Sequence, residues 1–253
     1  MLNEGILKSV HNGLSILRLF SNEKSNWGIT EIANVLSLNK STVSRLVKEL
    51  VEEGFLEKSG TTYQLGISVL CLSGVITSHL EIFREAKPSL HKLVARVEET
   101  AHISVLEDSN ITYLHKVDCK QPVHLMSFIG KNNPATCTSS GKVLLAFQPT
   151  EVTHRVLDNG LPKCGPNSIT DREELLQELQ AIRQQGFSIC VNELHEEVVS
   201  IAAPVKDYTG EVMASVSIVG PSQRMRKDQF PEYIKAVTTA GQEISKKLGY
   251  IHH

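Results

Sequence analysis

The chain has 253 residues, a net charge of −2, 41% hydrophobic and 21% charged residues. That length holds one large or two smaller domains, and the composition supplies an ordinary core and excludes intrinsic disorder. A protein that coats phosphate over its whole surface is basic, so any nucleic-acid contact here has to come from a local cluster.

Five cysteines at 71, 119, 137, 164 and 190 form no C-x-x-C pair and are odd in number, which is neither a disulfide framework nor a zinc-ribbon spacing. Met1–Asn12 has no apolar stretch of the signal-peptide kind, and no run approaches the ~18–20 apolar residues of a membrane span. A reducing, cytoplasmic setting is the expectation.

Val10, Leu14, Leu17 and Phe20 recur at helical spacing and predict a first helix over about 9–21. A polar break follows. Thr30 is then a candidate cap for a short helix whose buried face is Ile32, Ala33 and Leu36. Leu36–Asn39 is the turn, and Asn39 is the candidate N-cap of a third helix over about 40–53. Val43, Leu46, Val47 and Leu50 give that helix one apolar stripe. Its other face opens with Lys40, Ser41, Thr42, Ser44, Arg45 and Lys48, donors and small hydroxyls suited to phosphates and base edges. Asn34–Lys48 holds three basic residues and no acid, whereas Glu49–Glu57 holds four acids. The positive charge therefore sits at the helix N-terminus, the end a recognition helix presents to the major groove.

Gly54 is a C-cap candidate, and Phe55–Lys58 and Thr62–Leu65 flank Ser59-Gly60-Thr61 as a short hairpin. The order helix, turn, helix, hairpin predicts a winged helix-turn-helix over 1–66, with Thr30, Lys40, Ser41, Thr42, Ser44, Arg45, Lys48 and Lys58 as DNA-contact candidates.

Residues 67–83 form a linker helix rich in apolar residues. They serve either a partner chain or the chain's own second domain, and the pattern leaves both open. Dimerisation fits DNA binding because two recognition helices read a two-fold site. A further helix over about 83–100 carries Pro88 near its start, where proline is tolerated.

Residues 84–253 read as a second domain. Strands are predicted at 102–107, 111–117, 123–128, 187–194, 199–206 and 211–219, with turns at Asp108–Asn110 and Asp207–Gly210. Helices are predicted at 140–148, 150–158, 171–185 and 228–248. Hairpins with segregated helices mean an α+β fold with a largely antiparallel sheet. The loop Gly130–Lys142 is rich in small hydroxyls and opens into an apolar helix. It is either an anion site at a helix N-terminus or an ordinary cap made by Ser139 or Ser140.

Several blocks carry a specific resemblance: Thr30-Glu31-Ile32-Ala33, Lys40 through Leu46, Gly54-Phe55-Leu56, Tyr63 through Gly66, Ala86–Pro88, Gly141-Lys142, Ala202 through Val205, Gly220-Pro221 and Leu248-Gly249-Tyr250. In this order they resemble the IclR (isocitrate-lyase-regulator) type of bacterial transcription regulator. The resemblance implies a winged helix, a helical linker and a C-terminal GAF-like domain that binds a small, often acidic effector. It also implies dimers or tetramers on a palindromic operator; no cofactor is assigned. The effector site implied comprises Thr136, Cys137, Thr138, Ser139, Ser140, Gly141, Cys190, Ser200 and Ser217. The chain departs from the family pattern at Thr136 (often His), Cys190 (often Asp), Ser200 (often Cys), Val219 (often Ser), and at Ser37 and Asn39, where Gly and Pro are common. The changes at 190 and 219 make the site less polar there, so no particular ligand carries over.

The competing chemistry is a thiol enzyme or redox sensor using Cys137, which sits near a helix N-terminus; the plain alternative is that Cys137 and Cys190 are small buried residues. No G-x-S-x-G, P-loop, dinucleotide fingerprint or zinc-protease spacing is present, and no metal or catalytic residue is assigned.

Overall fold

The computed structural model describes residues 7–21, 24–79, 81–121 and 129–251. The strand expected at 123–128 lies outside them. The chain divides into two compact units, Met1–Leu80 and Glu81–His253.

In the first unit, α1 (Lys8–Leu17), α2 (Ile29–Val35) and α3 (Lys40–Glu52) enclose a core of Ile16, Ile32, Ala33, Val43, Val47 and Leu56. Val43 and Val47 from the predicted stripe are fully buried, while Leu46 and Leu50 pack at its margin. α2 begins one residue before Thr30, so Thr30 is not its cap. Glu31 Oε2 reaches back to accept from the Gly28 amide at 2.8 Å, closing the helix start from the inside. The turn between α2 and α3 is held by Leu38 N–H donating to Ala33 O, and Ser37 takes φ +53°, a left-handed conformation that glycine adopts at less cost. Asn39 occupies the N-cap position of α3, but its side chain makes no capping hydrogen bond.

Gly54, at φ +72°, turns the chain out of α3 into the wing, β1 (Leu56–Ser59) paired antiparallel with β2 (Thr62–Leu65). Trp27 adds a bridge to Tyr63, and its indole N–H donates to Leu19 O at 3.1 Å. The wing, the end of α1 and the segment before α2 are thereby tied together, a link the one-dimensional pattern does not reveal. α4 (Ile67–His79) follows, with Ile67, Leu70, Leu72 and Val75 exposed.

Among the described residues, the second unit contains a six-stranded sheet, antiparallel throughout, in the order β5-β4-β3-β8-β7-β6. Its strands are β3 (Thr100–Glu107), β4 (Asn110–Val117), β5 (Asn132–Pro134), β6 (Ser188–Val191), β7 (Val198–Lys206) and β8 (Val212–Pro221). The α+β architecture, with its winged helix-turn-helix, linker helix and GAF-like antiparallel domain, is as expected. The period-2 alternation sorts side chains by face. Ala203 and Val216 meet Gly241 of α9 (Phe230–Lys247) on one face. On the other, Ala202, Ile111 and Tyr113 share a core with α6 (Ser139–Ala146), α7 (Thr150–Asp158) and α8 (Arg172–Gln185).

α5 (Glu81–Val97) begins two residues earlier than predicted, which moves Pro88 from near its start into its interior. Proline has no amide to return to the carbonyl four residues earlier. Among the described residues, no helix is long and apolar enough to cross a membrane.

Candidate functional site

Two sets of residues carry chemistry. The first lies on α3. Lys40, Ser41, Thr42, Ser44, Arg45 and Lys48 are all exposed, as are Thr30 on α2 and Lys58 on the wing. Val43 and Val47 anchor the opposite side of the helix, so packing decides which face is free. Lys48 is partly engaged by Glu52 at 3.5 Å, one turn later. Lys40, Ser41 and Thr42 occupy the first turn, where the helix also presents unpaired amides and the positive end of its dipole.

The second set surrounds a pocket of the sheet unit. His102, Tyr113, Cys190, Val198, Ser200, Ser217 and Val219 line it from the sheet; Cys137, Thr138, Ser139 and Ser140 from the start of α6; Lys131 and Asn133 from the β5 segment; and Glu193, Leu194 and His195 from the β6–β7 connection. Antiparallel register brings these together: His102 lies beside Ser217, and Cys190, Ser200 and Val219 form a row across three strands.

Of the residues expected at this site, Cys137, Thr138, Ser139, Ser140, Cys190, Ser200 and Ser217 surround the pocket. Thr136 lines a separate surface recess with Pro134, Asn159 and Pro162. Gly141 lies behind the pocket wall. A Cβ there would stand 2.2 Å from Ala135 O, so glycine is what lets α6 start so close to the preceding 3-10 turn, Ala135–Cys137. The cap of α6 is neither Ser139 nor Ser140 but Thr138, whose hydroxyl accepts from Gly141 N–H at 3.0 Å. That arrangement frees both serines. Ser140 is 2% exposed and its hydroxyl has no hydrogen-bond partner.

Lys142 and Glu193 escaped the sequence reading. Lys142, buried within α6, donates to Glu193 Oε1 at 2.8 Å, lies 2.7 Å from Oε2, and has Glu178 at 3.6 Å. Desolvation opposes its charge, but the carboxylates of Glu193 and Glu178 outweigh that and raise its pKa. The signal available was a lysine as the one charged residue of a helix, Ser139–Ala146, that runs on into Val143-Leu144-Leu145-Ala146; a charge buried there demands an anion. His102 stacks on Tyr113 with ring centroids 4.6 Å apart, and its pKa falls to about 3 through burial and, secondarily, Lys116. It is a neutral ring throughout the physiological range. At the pocket edge, burial and then Lys131 lower the pKa of His195.

Thiol chemistry needs a stabilised thiolate. Cys137 is fully buried and donates to Pro162 O at 3.2 Å, and burial pushes Cys190 well above the ordinary thiol range. Both features hold the sulfur as a packed thiol. No group of three or more metal-ligating side chains occurs among the described residues.

Comparison with known proteins matches residues 9–60 to the IclR helix-turn-helix domain and residues 75–246 to the C-terminal domain of bacterial IclR transcriptional regulators. The HTH-type transcriptional regulator KdgR of Dickeya chrysanthemi is 32% identical over 93% of this chain and 80% of its own length. The HTH-type transcriptional regulator KipR of Bacillus subtilis is 30% identical over 96% of this chain and 98% of its own. Among solved structures, an IclR homolog from Microbacterium hydrocarbonoxydans complexed with 4-hydroxybenzoate superposes with a TM-score of 0.85 at 26% identity, covering 95% of this chain and 98% of that one.

Proposed function

The chain belongs to the IclR family of DNA-binding transcriptional regulators with a C-terminal effector domain, and from that premise we propose that it is a cytoplasmic, effector-responsive regulator rather than an enzyme. It binds a palindromic operator as a dimer or tetramer and senses a small organic acid.

The observation that carries the DNA half is the first two turns of α3: Lys40, Ser41, Thr42, Ser44 and Arg45 are exposed together, opposite the buried Val43 and Val47. Ser41, Thr42, Ser44 and Arg45 read base edges, Lys40 and Lys48 bind phosphate, and Lys58 of the wing and Thr30 add backbone contacts. The exposed apolar residues of α4 support association with a second copy, which places two reading heads on one operator.

The effector half is supported by Ser140. A buried hydroxyl without a partner, beside the first amides of α6 and lining a pocket, suits a carboxylate. The relative with bound 4-hydroxybenzoate, itself a carboxylic acid, agrees with this reading.

The test takes the intergenic DNA beside the protein's own gene as probe. Arg45→Ala lowers affinity by about 1–3 kcal/mol if Arg45 reads a base bidentately, and unchanged binding refutes the recognition-helix assignment. A small acid that binds the pocket shifts DNA affinity, and DNA shifts acid affinity by the same factor. Acid binders indifferent to Thr138→Ala and Ser217→Ala refute the pocket assignment.

A further inference from the structure

The sheet carries a second recess on its α9 face, away from the pocket at the start of α6. Pro204 and Lys206 of β7, Thr238, Gln242 and Lys246 of α9, and Tyr250 beyond it surround a groove, with the end of α8 at its rim. Among the described residues no carboxylate lines it.

One wall of the groove holds an unspent hydroxyl. Serine or threonine inside a helix can donate to the carbonyl four residues earlier. Thr239 and Ser245 of α9 do so, to Lys235 O and Gly241 O, each at 2.7 Å. Thr238 does not: its Oγ1 is buried in the groove wall without a hydrogen-bond partner. The groove also holds unspent charge. Lys206 rests over the Tyr250 ring, 5.0 Å from its centroid, and among the described residues neither it nor Lys246 is ion-paired. The adjacent Lys247, by contrast, is committed to Glu85 O and Ser89 Oγ. The C-terminal end of α8 opposes an anion with about half a negative charge, which two ammonium groups outweigh by roughly one and a half charges.

We propose that this groove is a second small-molecule site and that its ligand is a phosphomonoester with an apolar body. Such a group carries about −1.5 to −2 charge and three acceptor oxygens. That matches two ammonium groups and the Thr238 hydroxyl. A carboxylate brings a single charge and two oxygens, and leaves one ammonium uncompensated. Lysine binds phosphate as a point charge, so the long stems of Lys206 and Lys246 need no fixed fork to do it. Pro204 and the Tyr250 ring form an apolar wall for the body of the ligand.

The experiment titrates the full-length protein calorimetrically with phenyl phosphate and, as the matched monoanion, benzoate. Phenyl phosphate binds with a Kd of about 1 mM or tighter. Lys206→Gln/Lys246→Gln weakens it roughly tenfold or more, and Thr238→Val weakens it to a lesser extent. Benzoate is indifferent to both variants. No binding of phenyl phosphate at about 10 mM overturns the proposal. So does binding that survives the double lysine variant, or that is lost in Thr138→Ala or Ser217→Ala, since the phosphate then sits elsewhere on the chain or in the first pocket. Benzoate losing as much affinity as phenyl phosphate in the double lysine variant overturns the phosphomonoester assignment and leaves an unselective anion groove.

Discussion

Replacing Lys142 with methionine keeps the length and apolar stem of the side chain and removes its charge, which isolates the electrostatics of the buried cluster. At 2.8 Å and an effective dielectric of ~20, the Lys142–Glu193 attraction is about 6 kcal/mol. Desolvation of the two ions offsets much of it. Without Lys142, Glu193 is an unpaired buried carboxylate, and its cheapest escape is to bind a proton. At pH 7 that costs about 2.7 pH units above an ordinary glutamate, or ~3.7 kcal/mol, which falls inside the ~3–5 kcal/mol seen on breaking buried pairs. Glu178, a third exposed, is left to solvent and adds little.

The sign with pH follows directly. In the variant the folded-state pKa of Glu193 is raised, so the group's stability is intact below its unfolded value of about 4.3 and is lost as pH rises. The penalty of Lys142→Met therefore shrinks by ~1.4 kcal/mol per unit as the assay moves from pH 7 to pH 5. Urea unfolding followed by far-UV circular dichroism at pH 5, 6 and 7 measures it. The single tryptophan, Trp27, lies in the other unit, so its fluorescence does not report this transition. A penalty under 1 kcal/mol at pH 7 refutes the reasoning. So does a large penalty that does not vary with pH, since packing rather than charge would then be the cause.

Three further outcomes are expected. His102, with its pKa near 3, stays neutral while the unfolded chain protonates below about 6.5. Stability is complete above 6.5 and falls by ~1.4 kcal/mol per unit toward pH 3. His102→Asn flattens that part of the profile relative to wild type, and parallel pH profiles for the two proteins contradict the assignment. Gly141→Ala drives a Cβ into the Ala135 backbone and destabilises by about 1–3 kcal/mol or more, read as a lowered urea midpoint; an unchanged midpoint shows that α6 has room to shift. Lys40→Ala lowers the slope of log affinity against log salt by about 0.9, because one phosphate contact is lost. Lys48→Ala lowers it less, since Glu52 already shares that ammonium. Equal slopes for the two variants count against the phosphate roles.

The reading head was legible because its determinants are local. The Val43/Val47 stripe and the Gly60 hairpin declare themselves within a few residues of each other, and α7 falls on the predicted 150–158. Helix starts were less legible. Thr30 and Ser139 have capping chemistry, but the backbone begins each helix where neighbouring contacts allow, and Glu31 and Thr138 do the capping.

The pocket was half legible. The hydroxyl loop lies within a few residues of the start of α6, and family resemblance supplied Cys190, Ser200 and Ser217. Glu193, Lys131 and Tyr113 come from three separate segments and meet through sheet register and one buried ion pair. A buried lysine announces that it needs an anion; it does not announce which glutamate, and 51 residues separate the two. The short strand β5 reads as loop in the sequence because three residues show no alternation.

The central pairing of the sheet, Thr100 with Val219, joins positions 119 residues apart. At a synthesis rate of ~5–20 residues per second, the ribosome takes roughly 6–24 s to deliver β8 after β3 has emerged. During that interval β3 and β4 can pair as a hairpin, yet the strand that becomes the middle of the sheet has an open edge. Non-local pairing of this kind is slow and exposed to aggregation. The DNA-reading head, complete by residue 66, therefore has a folding time-table of its own. On the nascent chain it exists well before the pocket that is to govern it.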